Sequence, residues 1–201
     1  MRGKRSPKTL AAGIILAAIG FGMLIYAFGT IGQFRYGYYG NNVATINDSE
    51  LEKLYIAPKT GVKIDKADNS IEFYGKDVRI PVIASPEGAK SMYSFGVYSL
   101  INPTIIVHEN AKVTIQFVNK DDDMYHNVAI VRDAPPYPYM SMMIAPAFED
   151  SFVWMLPESS NGKFPVASNS FIASHTGIFY YICQVPGHAS EGMYGKFVVI
   201  K

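Results

Sequence analysis

The chain has 201 residues, the length of one large domain or of one domain with an appendage. It is 49% hydrophobic and only 17% charged, with a net charge of +1; this excludes a disordered chain, a multi-span membrane protein and a strongly basic nucleic-acid binder. Its single cysteine, Cys183, excludes an internal disulfide framework, a cysteine-only zinc site, an iron–sulfur cluster held by this chain alone and a CxxC redox pair.

The near-neutral total hides an uneven distribution. Arg2, Lys4, Arg5 and Lys8 lie in the first eight residues, and no acid precedes Asp48. From Thr9 to Phe34 no residue is charged, and Leu10–Ile31 is dominated by Ala, Ile, Leu, Phe and Gly. As a helix that stretch is ~33 Å long, enough to cross a hydrocarbon core of about 30 Å. The basic flank keeps the N-terminus cytoplasmic, so residues 1–34 read as a cytoplasmic tip and a single transmembrane anchor in membrane lipid. The alternative is a signal peptide cleaved at Ala27-Phe28-Gly29, but the apolar run exceeds the roughly 7–15 residues of a signal core. The rest of the chain carries fourteen basic and seventeen acidic groups, a mildly acidic extracytoplasmic part on the outer side of the cell membrane.

Residues 35–94 read as a linker and N-terminal extension packing on a domain over 95–201. Arg35-Tyr36-Gly37-Tyr38-Tyr39-Gly40 suits a membrane interface. Asp48 or Ser49 caps a short helix through Ile56, stopped by Pro58. Asn47-Asp48-Ser49 is also a glycosylation sequon, and 41–94 otherwise carry no motif.

Strand signals then dominate. Thr104–Val107 is β-branched, and Val113, Ile115 and Phe117 alternate with Thr114 and Gln116 up to Asn119. Val128–Val131, Phe148–Met155, Ser170–Ala173, Gly177–Cys183 and Lys196–Ile200 are further short β-rich runs, with Gly, Pro, Asn or Asp between most of them. Many short strands with turn signals predict an all-β sandwich or barrel. Ala134–Tyr139 is a Pro-rich surface loop, followed by Met140, Met142 and Met143.

The chemistry lies in Cys183-Gln184-Val185-Pro186-Gly187-His188-Ala189-Ser190-Glu191-Gly192-Met193. A strand delivers Cys183, a turn follows, and Cys183, His188 and Met193 stand five residues apart on one loop between two strands. Thiolate, imidazole and thioether are the donors of a copper site with two His, one Cys and a weak axial Met. The second His comes from elsewhere. His175 lies eight residues before Cys183, ~26 Å along a strand, and His108 precedes strand 113–119 at the end opposite the loop with His126. That leaves His126, which meets Cys183 at one pole if strands 113–119 and 177–183 point the same way. A lone buried Cys, His or Met is usually a packing residue; three on one loop, with a free thiol on an oxidising side of the membrane, point instead to a metal. Met124 or one of Met140, Met142 and Met143 is the alternative axial ligand.

The segment Phe117-Val118-Asn119-Lys120-Asp121 leading to His126-Asn127, then Cys183-x4-His188-x4-Met193, resembles the cupredoxins, the small blue copper proteins. Within them it is most similar to the sulfocyanins, membrane-anchored members of archaeal respiratory chains; four residues between Cys and His resemble the sulfocyanin and rusticyanin type. The resemblance covers about 95–201, with the anchor as an architectural match. It implies a Greek-key β-sandwich holding one mononuclear type 1 copper ion, with His126, Cys183 and His188 as equatorial ligands and Met193 as the axial one. Asn127 resembles the position whose side chain ties the two ligand loops together. The implied role is electron transfer rather than catalysis, through the His188 ring edge in an apolar patch with Val185, Pro186, Ala189 and Tyr194. The implied partners are transient redox proteins, a cytochrome complex or a terminal oxidase, and no nucleic acid. A multicopper oxidase needs further His-x-His pairs, and a binuclear copper subunit needs two Cys on the loop; neither is present. A copper delivery or storage protein without redox turnover is the competing reading, and a metal-free adhesive sandwich a third.

Overall fold

A computed structural model describes residues 43–201. Its first elements are strand β1 (Thr45–Asn47) and helix α1 (Asp48–Leu54). The helix is capped one residue earlier than Asp48 or Ser49. Asn47 accepts the Glu50 N–H at 3.1 Å, and the Glu50 carboxylate accepts the Asn47 N–H at 3.0 Å, a reciprocal pair that satisfies two otherwise orphaned donors. Leu51 is buried on this short helix and packs with Ile83, Val118 and Phe164.

Strands β2 (Val62–Asp65), β3 (Ser70–Phe73), β4 (Asp77–Ala84), β5 (Phe95–Val97) and β6 (Leu100–Ile101) follow. Then come β7 (Thr104–His108), β8 (Lys112–Asn119), β9 (His126–Val131), β10 (Phe152–Leu156), β11 (Lys163–Ile172), β12 (Gly177–Ile182) and β13 (Tyr194–Ile200). Among the described residues they form two mixed sheets, ordered β1-β11-β8-β4-β5-β6 and β10-β9-β12-β13-β7-β3-β2. Within them β4 runs parallel to β8, and β7 parallel to both β3 and β13. Alternation along β8 sends Val113, Ile115 and Phe117 into the core, where they join Phe95, Phe179, Tyr181 and Phe197.

Residues 62–84 enter both sheets: β3 lies beside β7, and β4 pairs with β8 over its whole length. Pro81 sits inside β4, paired with Gln116 of β8, at a point that β5 does not reach, since β5 pairs only with Ile83 and Ala84. The run expected as a strand from Phe148 begins at Phe152; residues 148–151 form a turn in which Asp150 has φ +60° and Ser151 Oγ donates to the Phe148 carbonyl. Conversely, β11 starts seven residues before Ser170, held by β1 over Lys163 to Pro165 and by β8 from Val166↔Val118 to Ile172↔Lys112. No helix among the described residues is long and apolar enough to cross a membrane. The anchor expected over residues 1–34 and the Tyr/Gly-rich segment after it lie outside the described residues.

The topology fixes where the chemistry falls. Antiparallel β9 and β12 pair with Ala129 opposite Ile182, so the start of β9 at His126 lies beside the end of β12 at Cys183. Cys183 N–H donates to the Met193 carbonyl at 3.0 Å, extending the β12–β13 ladder by one bond and closing the loop between them.

Candidate metal centre

Cys183, His126 and His188 are all buried, and their donor atoms lie within 4.8 Å of one another. Cys183 Sγ is 3.7 Å from His126 Nδ1 and 3.5 Å from His188 Nδ1, and the two Nδ1 atoms are 3.1 Å apart. A metal bound trigonally at about 2.0 Å from imidazole nitrogen and about 2.3 Å from thiolate sulfur needs edges of roughly 3.5 and 3.7 Å. The triangle therefore fits one small cation at its centre. Two imidazoles and one thiolate in a plane are the donor set of trigonal copper sites.

Burial governs the protonation of all three. It pushes the Cys183 thiol up to about 12, although the backbone N–H groups of Asn127 and Val185 act in the opposite sense. A cation in the triangle would take the place of the thiol proton, with those N–H groups already aimed at the sulfur. His188 is pushed down to about 4, chiefly by burial and further by His126, with Asp121 opposing. His126 is lowered by burial despite the carboxylate of Asp121 beside it. Burial also disfavours the Asp121 charge, but hydrogen bonds from Asp123 N–H, His126 and Met124 N–H, with attraction to His126, outweigh it and hold that carboxyl below its usual range. At a pH above both lowered values, the His126–Asp121 contact of 3.1 Å is a neutral ring against a carboxylate.

The loop is rigid because its own backbone binds it. His188 N–H donates to the Val185 carbonyl at 3.1 Å, Met193 N–H to His188 at 2.9 Å, and Gly192 N–H to Ala189 at 3.1 Å. Gly187 has φ +88°, and a Cβ there would stand 3.0 Å from the Tyr139 ring; its N–H donates to the Tyr139 carbonyl at 2.8 Å. The Met-containing segment after Tyr139 also clamps the loop: Ser141 Oγ donates to the Cys183 carbonyl and Gln184 Nε2 to that of Ile144. Asn127 joins the two ligand loops directly, accepting the Gln184 N–H at 2.6 Å and donating to Gln184 Oε1 at 3.0 Å.

Met193 is fully buried at the end of this loop, whereas Met140, Met142 and Met143 are 51%, 47% and 83% exposed and Met124 is half-buried. His108 and His175 have other company: His108 lies 3.4 Å from Glu72 and 3.1 Å from the Lys201 carbonyl, and His175 packs on Phe148 and Phe179 beside Arg132. Three residues beside the triangle or its loop are not singled out as site residues by the sequence: Asp121, Tyr93, whose ring centroid is 5.0 Å from that of His188, and Tyr139, which covers Gly187. Asp121 stands in a run of three aspartates, and nothing in the run marks which one turns inward.

No protein-family profile matches the chain. It is 31% identical over 131 residues to a rusticyanin of Acidithiobacillus ferrooxidans, covering 65% of this chain and 67% of that protein. A rusticyanin of Acidithiobacillus ferridurans is 30% identical with the same coverage. Among solved structures, rusticyanin from Thiobacillus ferrooxidans at 1.27 Å superposes with a TM-score of 0.68 and 26% identity, over 78% of this chain and 96% of that one. Another rusticyanin structure, at 2.1 Å and described as that of a copper protein, gives 0.65 and 26% over 78% and 96%.

Proposed function

This chain belongs to the rusticyanin family of cupredoxins, and we propose that it is a mononuclear blue copper electron carrier, not an enzyme. His126, Cys183 and His188 would hold the ion with Met193 as a fourth, weaker donor, and Asn127 ties the ligand loops together. The observation that carries this reading is the buried triangle of one sulfur and two Nδ1 atoms with edges of 3.1–3.7 Å. Copper supplies the one-electron couple when bound. The protein's part is to hold the three donors in place through the loop's own hydrogen bonds, to keep water out, and to set the His188 ring against Tyr93. Neutral imidazoles and the burial of the site away from water favour Cu(I), and hence a high potential.

The apolar run Leu10–Ile31 behind four basic residues supports an anchored, sulfocyanin-like carrier on the outer face of the membrane. Its partners are transient redox proteins such as a cytochrome complex or a terminal oxidase.

Titrating Cu(II) into the purified full-length protein, read by absorbance and electron paramagnetic resonance, tests the assignment. One equivalent should give an intense blue thiolate-to-copper band, and Cys183→Ser should abolish it while the fold survives. Tight colourless Cu(I) binding without a reversible one-electron wave would point to copper delivery or storage. A titration that changes nothing, or a Cys183→Ser protein that stays blue, overturns the reading.

A further inference from the structure

The turn between β8 and β9 carries Asp121-Asp122-Asp123, and the fold treats the three differently. Asp122 and Asp123 are exposed, whereas Asp121 is 5% exposed and faces the metal triangle. Its two oxygens are divided between two tasks. Oδ1 accepts the backbone N–H of Asp123 at 2.8 Å and of Met124 at 3.1 Å, and Oδ2 stands 3.1 Å from His126 Nε2. The surroundings leave the carboxylate no freedom to turn away. Asp121 N–H donates to Asn119 Oδ1 at 3.1 Å, the Asp121 carbonyl accepts the Ser159 N–H at 2.7 Å, and Asn119 Nδ2 braces the Met124 and Pro157 carbonyls at 2.8 Å each.

Three N–H donors thus converge on one side chain from two sides, and only a carboxylate offers an acceptor to both. An amide has a single acceptor oxygen, so Asn here leaves either the turn or the ring facing an N–H. Since Asp121 accepts only, the proton of the neutral His126 ring belongs on Nε2. That leaves Nδ1 as a bare lone pair aimed at Cys183 and His188.

We propose that Asp121 is a positioning residue of the metal centre: it fixes the ring plane and tautomer of His126 and places one buried negative charge a single hydrogen bond from a ligand, lowering the reduction potential of the site. The charge acts in that direction because it favours the more positive oxidation state, and its burial limits screening by solvent. The first half concerns this chain's own residues; the second rests on the copper reading above.

The test uses the full-length protein in detergent. In the metal-free wild type, 15N shifts of His126 should report a protonated Nε2 and a bare Nδ1; a proton on Nδ1 overturns the proposal, even if no variant folds. In the copper form, Asp121→Asn should raise the potential and weaken Cu(II) binding by roughly 10–100-fold, and Asp121→Glu, which keeps the charge, should recover most of both. A blue Asp121→Asn protein with unchanged potential overturns it and reduces Asp121 to a turn former. A wild type that gives no blue band overturns the copper reading instead, and the metal-free tautomer separates the two failures.

Discussion

Met193 and Asn127 show how much one side chain can be asked to do. If Met193 is the axial donor proposed above, its bond would be long and weak, and its loss would leave three strong ligands in place. Met193→Leu should keep the blue copper and raise the potential, because it removes a donor that weakly favours Cu(II) and dries the site. Met193→Gln should lower it, because an amide oxygen is harder. Protein-film voltammetry should give the order Leu, Met, Gln from high to low; equal potentials would move the axial role to Met124. Asn127 is 3% exposed and makes both of its hydrogen bonds to Gln184. Asn127→Ala leaves the Gln184 N–H without a partner, which costs about 1–3 kcal/mol. The metal-free protein should melt earlier, and copper should leave the variant faster under a chelator, because the two ligand loops are no longer tied.

Among the elements, the β12–β13 pair carries the tightest constraint. Gly195 lies directly opposite Tyr181, and a Cβ on it would stand 2.1 Å from the Tyr181 hydroxyl oxygen. That hydroxyl is pinned, donating to the Pro103 carbonyl at 2.7 Å in a fully buried setting. Gly195→Ala must push the ring away or part the strands, an overpacking cost of about 1–3 kcal/mol. Calorimetry should show a melting point lower by roughly 2–4 °C per kcal/mol, and the copper loop hung between these strands should loosen with it. A melting point equal to the wild type would mean that Tyr181 gives way freely. Elsewhere an element's limits follow its partners. β11 is longer than its apolar run because β8 supplies a ladder for Val166 to Ile172, polar residues included.

For the whole molecule, the described residues 43–201 form one compact unit. Removing residues 1–34 should therefore yield a water-soluble protein that still binds one copper, while the full chain should partition into membranes and need detergent. Fractionation and copper titration of both forms check this. A mature protein that begins near Gly29 would show that the apolar run is a cleaved leader. Truncation into residues 62–84 should instead abolish folding, because β3 and β4 are interior partners of β7 and β8.

Sequence alone determined what is local. Alternation marked β8, β-branched and β-rich runs marked β7, β12 and β13, and the spacing Cys183, His188, Met193 put three donors on one loop because a loop that short between paired strands cannot separate them. Opposite strand ends also singled out His126 from His108 and His175, since a strand's length keeps its two ends far apart. Tertiary structure decided what depends on partners distant in the chain. The strands of 62–84 were not legible because Pro81 and their short, interrupted patterns are tolerated only where particular neighbours leave or supply a ladder. The choice of Asp121 among three aspartates, the cover of Tyr139 over Gly187 and the approach of Tyr93 to His188 were equally hidden. Each is set by which way a backbone turns once two sheets have closed on a common core, and no single stretch of sequence carries that information.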